Sequence, residues 1–270
     1  MYKLGVASVS FRALSAEQVI ELAVEAELDV IEWGSDIHAP CKETERLEQI
    51  VRMQKEKNIR CSSYGTYFRL GVHPIEELEG YISAAKHLGT NVLRIWCGNK
   101  NYEEMSEAER SEIIEEGKKA AVIAEAAGVV LCMECHGSTY TNCVGGAVEL
   151  MKRVDSPCFK MYWQPNPYGD IAYNSEYARQ IAPYVVNLHV FHWIGEMPKQ
   201  VPLEEGLENW RQYLTYFNPD VALLLEFMPD QCPDRLKTEA ESLRKLVAEA
   251  AAYCSIDDFE ERTHTLPNFK

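Results

Sequence analysis

From Ser106 the chain reads SEAERSEIIEEGKKAAVIAEAAG to Gly128, and then VVLCMEC from Val129 to Cys135. The first part has helical period and stops at a glycine, while the second is an apolar run that reads as a buried strand. The same alternation extends in both directions. Short apolar or β-branched runs occur at Lys3–Phe11, Asp29–Trp33, Ile59–Tyr67, Asn91–Cys97, Val129–Glu134, Phe159–Gln164, Val185–Phe191 and Val221–Phe227. Helical stretches separate them: one led by Ser15-Ala16-Glu17-Gln18, a capping box, then Glu43–Lys57, Pro74–Leu88, Ser106–Ala127, Ala147–Val154, Glu176–Tyr184, Leu207–Phe217 and Arg235–Tyr253. Gly89 and Gly128 mark helix stops before the fourth and fifth strands.

Strand starts fall roughly 26 to 38 residues apart, the size of one βα unit, and no low-complexity linker interrupts them. Eight such units predict an α/β fold of one domain, a (β/α)8 barrel over residues 1–254 with a polar tail over residues 255–270. A doubly wound nucleotide-binding sheet has no support, because neither G-x-G-x-x-G nor G-x-x-x-x-G-K occurs.

Among the 270 residues, 42 Asp and Glu outweigh 27 Lys and Arg, a formal charge of -15. Acids dominate even the most charge-rich stretch, Glu103 to Glu116, so no nucleic-acid partner is expected. No run approaches the roughly 18 apolar residues of a membrane span, and the start Met1-Tyr2-Lys3-Leu4-Gly5 lacks a signal peptide's pattern. A cytoplasmic protein with no membrane partner is expected. Nine cysteines, an odd number scattered through apolar segments, read as reduced thiols. Cys132 and Cys135 lie three apart on a strand, so they point to opposite faces and make a poor redox or metal pair. The barrel bottom or the tail offers a surface for a homo-oligomer.

Active sites of such barrels form at the C-terminal ends of the strands. Here those ends carry Glu32-Trp33, Tyr64 and Tyr67, Arg94 and Trp96, Glu134 and His136, Trp163-Gln164, His189 with His192-Trp193, and Glu226. Four of the five tryptophans, Trp33, Trp96, Trp163 and Trp193, fall on this ring, where flat apolar faces beside charged groups suit a carbohydrate. The alternative is that they cap the core. Glu134, Gln164, His189 and Glu226 come one from each of the last four strands, and their oxygen-rich set suits a divalent cation, Mn2+ first, then Mg2+ or Co2+. Arg94 and Glu32 share the mouth, either binding substrate or forming a structural ion pair.

The segments Val30-Ile31-Glu32-Trp33-Gly34-Ser35-Asp36-Ile37-His38, Leu93-Arg94-Ile95-Trp96-Cys97-Gly98, Met133-Glu134-Cys135-His136-Gly137-Ser138-Thr139-Tyr140-Thr141 and Asn187-Leu188-His189-Val190-Phe191-His192-Trp193 resemble the xylose isomerase-like TIM-barrel family, in its sugar phosphate isomerase/epimerase branch. The resemblance spans the chain. It implies Glu134, His189 and Glu226 as metal ligands, with the two glutamates as catalytic acid and base. Two positions depart from the family pattern: its strand-six Asp-x-x-His is Gln164 to Pro167 here, and its strand-seven His-x-x-Asp ends in His192.

The expected activity is that of a metal-dependent isomerase or epimerase of a carbohydrate, acting through an enediolate. His136 or His192 is an alternative base, and Glu32, Trp33, Arg94, Trp96, His136, Trp163, His192 and Trp193 are expected to contact substrate. The turns Ile194-Gly195-Glu196-Met197-Pro198 and Met228-Pro229-Asp230-Gln231 are acidic and nearly glycine-free, so the sugar is expected to be unphosphorylated. Two other readings compete. One is a metal-dependent lyase or dehydratase of a keto-sugar or keto-polyol, and the other is a non-catalytic sugar-binding barrel.

Overall fold

The computed structural model describes residues 2–197 and 199–253. Its barrel strands are β1 (Lys3–Ala7), β2 (Val30–Gly34), β3 (Arg60–Leu70), β4 (Val92–Cys97), β5 (Val130–Glu134), β6 (Phe159–Trp163) and β7 (Val185–Val190), closed by β10 (Ala222–Leu225). All neighbours pair in parallel in the order β1-β10-β7-β6-β5-β4-β3-β2, and β10 seals against β1 with Lys3 opposite Ala222. Between β7 and β10 lies a small antiparallel hairpin, β8 (His192–Ile194) with β9 (Lys199–Val201). The sequence reading did not anticipate it.

The helices are α1 (Ala16–Glu25), α2 (Thr44–Lys57), α3 (Leu78–Leu88), α4 (Glu107–Ala127), α5 (Val144–Val154), α6 (Ile171–Ile181), α7 (Leu207–Leu214) and α8 (Leu236–Tyr253). Their ends follow local chemistry. Ser15 and Gln18 close the expected capping box, each side chain bonded to the other's backbone N–H. Gly89 and Gly128 hold left-handed φ of +85° and +68° after α3 and α4. The helix expected at Glu176 begins earlier, because the Asp170 side chain accepts from the Tyr173 N–H at 2.7 Å and caps α6. The first expected strand is shorter than its apolar run, since Ser8–Phe11 turns into a 3-10 helix.

Alternation along each strand divides the core in two. Val30, Cys132, Tyr162, Ala222 and Leu224 fill the barrel interior, while the larger cluster lies between the strands and the helical shell. Cys132 belongs to the first and Cys135 to the second, so the two thiols face apart, and the described cysteines are unpaired. Trp33 and Trp163 belong to the outer layer as well. The Trp33 indole N–H donates to Gln54 Oε1 of α2 at 2.6 Å. Trp163 packs edge-on against Trp210 and Tyr213, with ring centroids 5.9 and 5.2 Å apart. Among the described residues no helix is long and apolar enough to cross a membrane. The expected tail over residues 255–270 lies outside the described residues.

Candidate active site

Glu134 ends β5, Gln164 directly follows β6, His189 lies in β7, and Glu226 directly follows β10. These strands are consecutive around the barrel, so their side chains converge at one point. His189 Nδ1 lies 3.4 Å from Glu134 Oε1, 3.4 Å from Glu226 Oε2 and 2.9 Å from Gln164 Oε1. The Gln164 amide nitrogen donates to the Cys135 carbonyl at 3.1 Å, which turns its oxygen toward His189. Beyond Glu226 the backbone of Phe227 takes a left-handed φ of +58°, a strained conformation held where the Phe227 N–H donates to Ser10 Oγ at 2.8 Å.

Beneath this cluster lies a fully buried carboxylate. Glu32 Oε1 accepts from Arg94 Nε at 3.3 Å and faces His189 Nε2 at 3.4 Å, while Glu32 Oε2 accepts from Ser63 Oγ at 3.1 Å. Gly65 leaves the space this needs, since a Cβ there would lie 2.6 Å from Glu32 Oε1 and 2.8 Å from Arg94 Nη2. Arg94 also donates through Nη1 to Glu134 Oε2 at 2.8 Å, and the Trp96 indole N–H donates to that same oxygen. Arg94 therefore ties two buried carboxylates together.

Burial raises the pKa of each carboxyl here, and neighbouring charge decides the outcome. For Glu32, His189 and Arg94 outweigh burial and hold it down at about 2. Glu134 is likewise held well below the usual carboxylate range by Arg94 and His189. Glu226 differs, because burial and the charge of Glu134 outweigh His189 and Arg94, which pushes it up to about 7. His189 is desolvated, yet Glu226, Glu32 and Glu134 raise it well above the usual histidine value.

The donor set fits a divalent cation. Glu134, His189 and Glu226 each offer a ligand atom within 4.8 Å of the others, and all three are buried. Ligands about 2.1 Å from a shared ion stand about 3.0 to 3.4 Å apart, which matches the carboxylate distances to Nδ1. Among the described residues Arg94 is the buried guanidinium beside the carboxylates of Glu32, Glu134 and Glu226, so a neutral His189 leaves two negative charges for an ion to balance. His189 Nε2 is buried without a hydrogen-bond acceptor in good geometry, and Glu32 is the carboxylate that faces it, so Nδ1 is the nitrogen that could hold an ion.

Above the cluster opens a cavity of about 650 Å3, whose lining includes Arg94, Trp96, Glu134, His136, Gln164 and Glu226. Trp193 lines it too. His136 Nδ1 lies 2.7 Å from the Gly137 carbonyl, which leaves Nε2 open. Several expectations are corrected. Trp33 and Trp163 do not reach the cavity, because each follows or precedes an inward-facing residue and therefore points at the helices. Glu32 lies below the cavity and holds Arg94 and His189. His192 lines a neighbouring chamber instead. Trp96 does line the cavity, but the Arg69 guanidinium lies 4.4 Å from its ring centroid and the His136 ring 5.0 Å, so its surface is already in use.

Residues outside the expected ring complete the lining, including Arg12, Asn101, Asn142, Phe191 and Phe227. Arg12 donates to Asp36 Oδ2 at 2.7 Å and to the Tyr67 hydroxyl, a network across the ends of the first three strands. Its position just after the first apolar run was the available signal.

Similar proteins are known. A 3-dehydroshikimate dehydratase of Bacillus anthracis is 23% identical over 276 residues, covering 89% of this chain and 96% of that protein. The crystal structure of the probable 3-DHS dehydratase of petrobactin synthesis from the same organism superposes with a TM-score of 0.79 at 21% identity, covering 90% of this chain and 99% of that one. A 3-keto-D-glucoside 4-epimerase from E. coli superposes with a TM-score of 0.65 at 12% identity, covering 92% and 100%. These relatives are enzymes. The family model described as xylose isomerase-like TIM barrel matches residues 20–246, in keeping with the closed barrel and the site at its strand ends, and the chain belongs to that family.

Proposed function

We propose that this protein is a divalent-metal-dependent lyase that removes water from a hydroxylated ketone of the keto-sugar or keto-polyol class. The observation that carries this reading is the inequality of the two glutamates. Glu134 Oε2 is taken by Arg94 and Trp96 while its Oε1 faces the cluster, so it keeps no free basic oxygen. Among the described residues no hydrogen-bond donor is fixed on the Glu226 carboxylate, and Glu226 lines the cavity. Epimerisation between two faces of one carbon asks for two bases. Loss of water asks for one base and one acid.

Glu134, Gln164, His189 and Glu226 would hold the cation, Mn2+ being the best match, with Mg2+ or Co2+ as substitutes. Bound there, it would supply Lewis acidity that makes the C–H beside a ketone more acidic. Glu226 takes that proton. The electron pair left on carbon forms the new double bond as the C–O bond breaks, and the departing hydroxide leaves as water with the Nε2 proton of His136 in its imidazolium form, whose Nδ1–H stays on the Gly137 carbonyl and which becomes the neutral ring. Arg94 keeps Glu134 ionised, and the phenyl and indole rings of Phe191 and Trp193 limit water in the cavity. The activity named for the B. anthracis relative supports elimination over isomerisation.

The test loads the protein with Mn2+ in D2O and supplies 3-dehydroshikimate and a panel of keto-sugars. A rising enone or aromatic absorbance that EDTA abolishes is the expected result. Deuterium entering recovered substrate or an isomer, with no new chromophore, would establish the isomerase or epimerase reading instead. Sugar binding indifferent to EDTA, without turnover, would leave a binding barrel.

Metal uptake should also release protons. In the metal-free protein His189 is protonated well above its usual pKa and Glu226 is half-protonated near pH 7, and both must give up protons to become ligands. Calorimetric titrations of Mn2+ at pH 7 in buffers of different ionisation enthalpy should show about one to two protons released, with affinity falling as pH drops through 7. A buffer-independent enthalpy would contradict the assignment of His189 and Glu226 as ligands.

A further inference from the structure

Beside the main cavity lies a second chamber of about 400 Å3, lined by His192, Asn209, Trp210 and Tyr213. Pro165, Asn166, Pro167, Phe191 and Trp193 line both spaces. The geometry points to a subsite for a second sugar ring, so that the substrate is a glycoside whose reacting ketone ring sits over the metal ligands while its partner ring occupies this chamber. This rests on the reading of the main cavity as a carbohydrate site.

Four features carry it. The volume is within the range of small-molecule sites, about 300 to 1,000 Å3. The wall between the spaces starts at Pro165, the residue after Gln164, and its three residues span at most about 11 Å, the reach of two linked rings. That wall is fixed in advance: Asn174 Nδ2 donates to the Asn166 and Gly169 carbonyls at 3.1 Å each, and Asn174 Oδ1 accepts from the Asn166 N–H at 2.7 Å. A ligand therefore meets a formed edge with little ordering to impose.

The fourth feature is the chamber's chemistry. Trp210 spends its N–H on the Phe191 carbonyl at 2.8 Å, and its ring stands edge-to-face with Tyr213. The amides of Asn166 and Asn174 are spent on their own loop, whereas the polar atoms of His192 and Asn209 carry no hydrogen bond within the described residues. Trp210 and Tyr213 are buried and close the chamber's floor, while the partly exposed Trp193 and the uncommitted polar groups beside it offer the apolar face and hydroxyl partners that a pyranose requires. Gly206 seats the imidazole, because a Cβ there would lie 2.4 Å from His192 Cγ. The same residue that failed to reach the metal cavity thus finds a use one ring further out.

Saturation-transfer NMR and calorimetry on the Mn2+-loaded protein test the proposal without requiring turnover. The probes are methyl glycosides and β- and α-linked disaccharides of gluco, galacto and manno configuration. At least one disaccharide should bind at least tenfold more tightly than its methyl glycoside. Asn209→Ala and His192→Ala, both half-buried positions, should each reduce that advantage at least fivefold and leave methyl glycoside binding and the melting temperature unchanged. Disaccharides that bind no better than methyl glycosides, or an advantage that survives both substitutions, would overturn the subsite even if single-ring ketones are dehydrated. Loss of elimination chemistry with the disaccharide preference intact would overturn the lyase reading alone.

Discussion

Glu226→Gln is expected to strip the protein of its bound divalent ion and reduce turnover by about 10^3-fold, the usual worth of a well-placed general base. Mass spectrometry of protein purified without chelator reads the first effect, and the elimination assay reads the second. The substitution should not harm the fold. The parent carboxyl is raised to about 7, so its ionised form is disfavoured in the folded chain relative to the unfolded one. That penalty is absent below the ordinary carboxyl range, grows as pH rises through it, and is complete above about 7. Metal-free Glu226→Gln should therefore be more stable than metal-free parent at pH 8, by about 3 kcal/mol, with the difference vanishing below roughly pH 4.5. Retention of one ion per chain with normal turnover would remove Glu226 from the site.

Glu32→Gln should do the reverse, harming the fold as well as the site. Glu32 is 0% exposed and meets both Arg94 and His189, so neutralising it leaves a buried guanidinium with a single carboxylate partner. Breaking such a pair costs about 3–5 kcal/mol, which for a chain of this size lowers the melting temperature by roughly 5–9 °C. The sign of the pH dependence is fixed by the depressed pKa. Glu32 adds stability above the ordinary carboxyl range and loses it as pH falls toward about 2, so parent and variant should converge in strong acid. Mn2+ affinity should fall by about 10- to 100-fold, because His189 loses the carboxylate that its far nitrogen faces. A variant with parental melting and parental Mn2+ affinity would show that Glu32 holds neither residue.

Most of the barrel was legible because βα units repeat with strong local signals. The apolar run at Val129–Glu134 needed no tertiary information to read as a strand, nor Gly128 to read as a stop. Gln164 was legible for the same reason, as the polar end of an apolar run. Trp33 and Trp163 were misplaced through neglect of strand alternation, the rule that correctly separated Cys132 from Cys135, whereas Trp96 and Trp193 do line the cavity. Trp33 adjoins Glu32 and Trp163 adjoins Gln164, so neither tryptophan can share its neighbour's face. The hairpin of β8 and β9 was invisible for another reason. Its paired segments are three residues each, too short for a period-two pattern, and Trp193 reaches the cavity only because the hairpin carries it there. The pairing of Glu32 with Arg94 was legible from their places on neighbouring even-numbered strands, whereas its contact with His189 of β7 is made across the barrel and carried no local signal.

The seam between β1 and β10 joins the two ends of the sequence, and Glu226 stands beside it. A chain folded only through β7 would bring together seven strands with Glu134, Gln164 and His189 but would lack Glu226, the fourth residue proposed to hold the cation. Glu226 arrives with the last strand, and the Phe227 N–H then reaches Ser10, 217 positions away. Cation capture at the proposed site would thus report completion of the barrel. In refolding experiments Mn2+ binding should appear in the final kinetic phase, and added Mn2+ should slow unfolding by latching that seam while leaving the early folding steps unchanged.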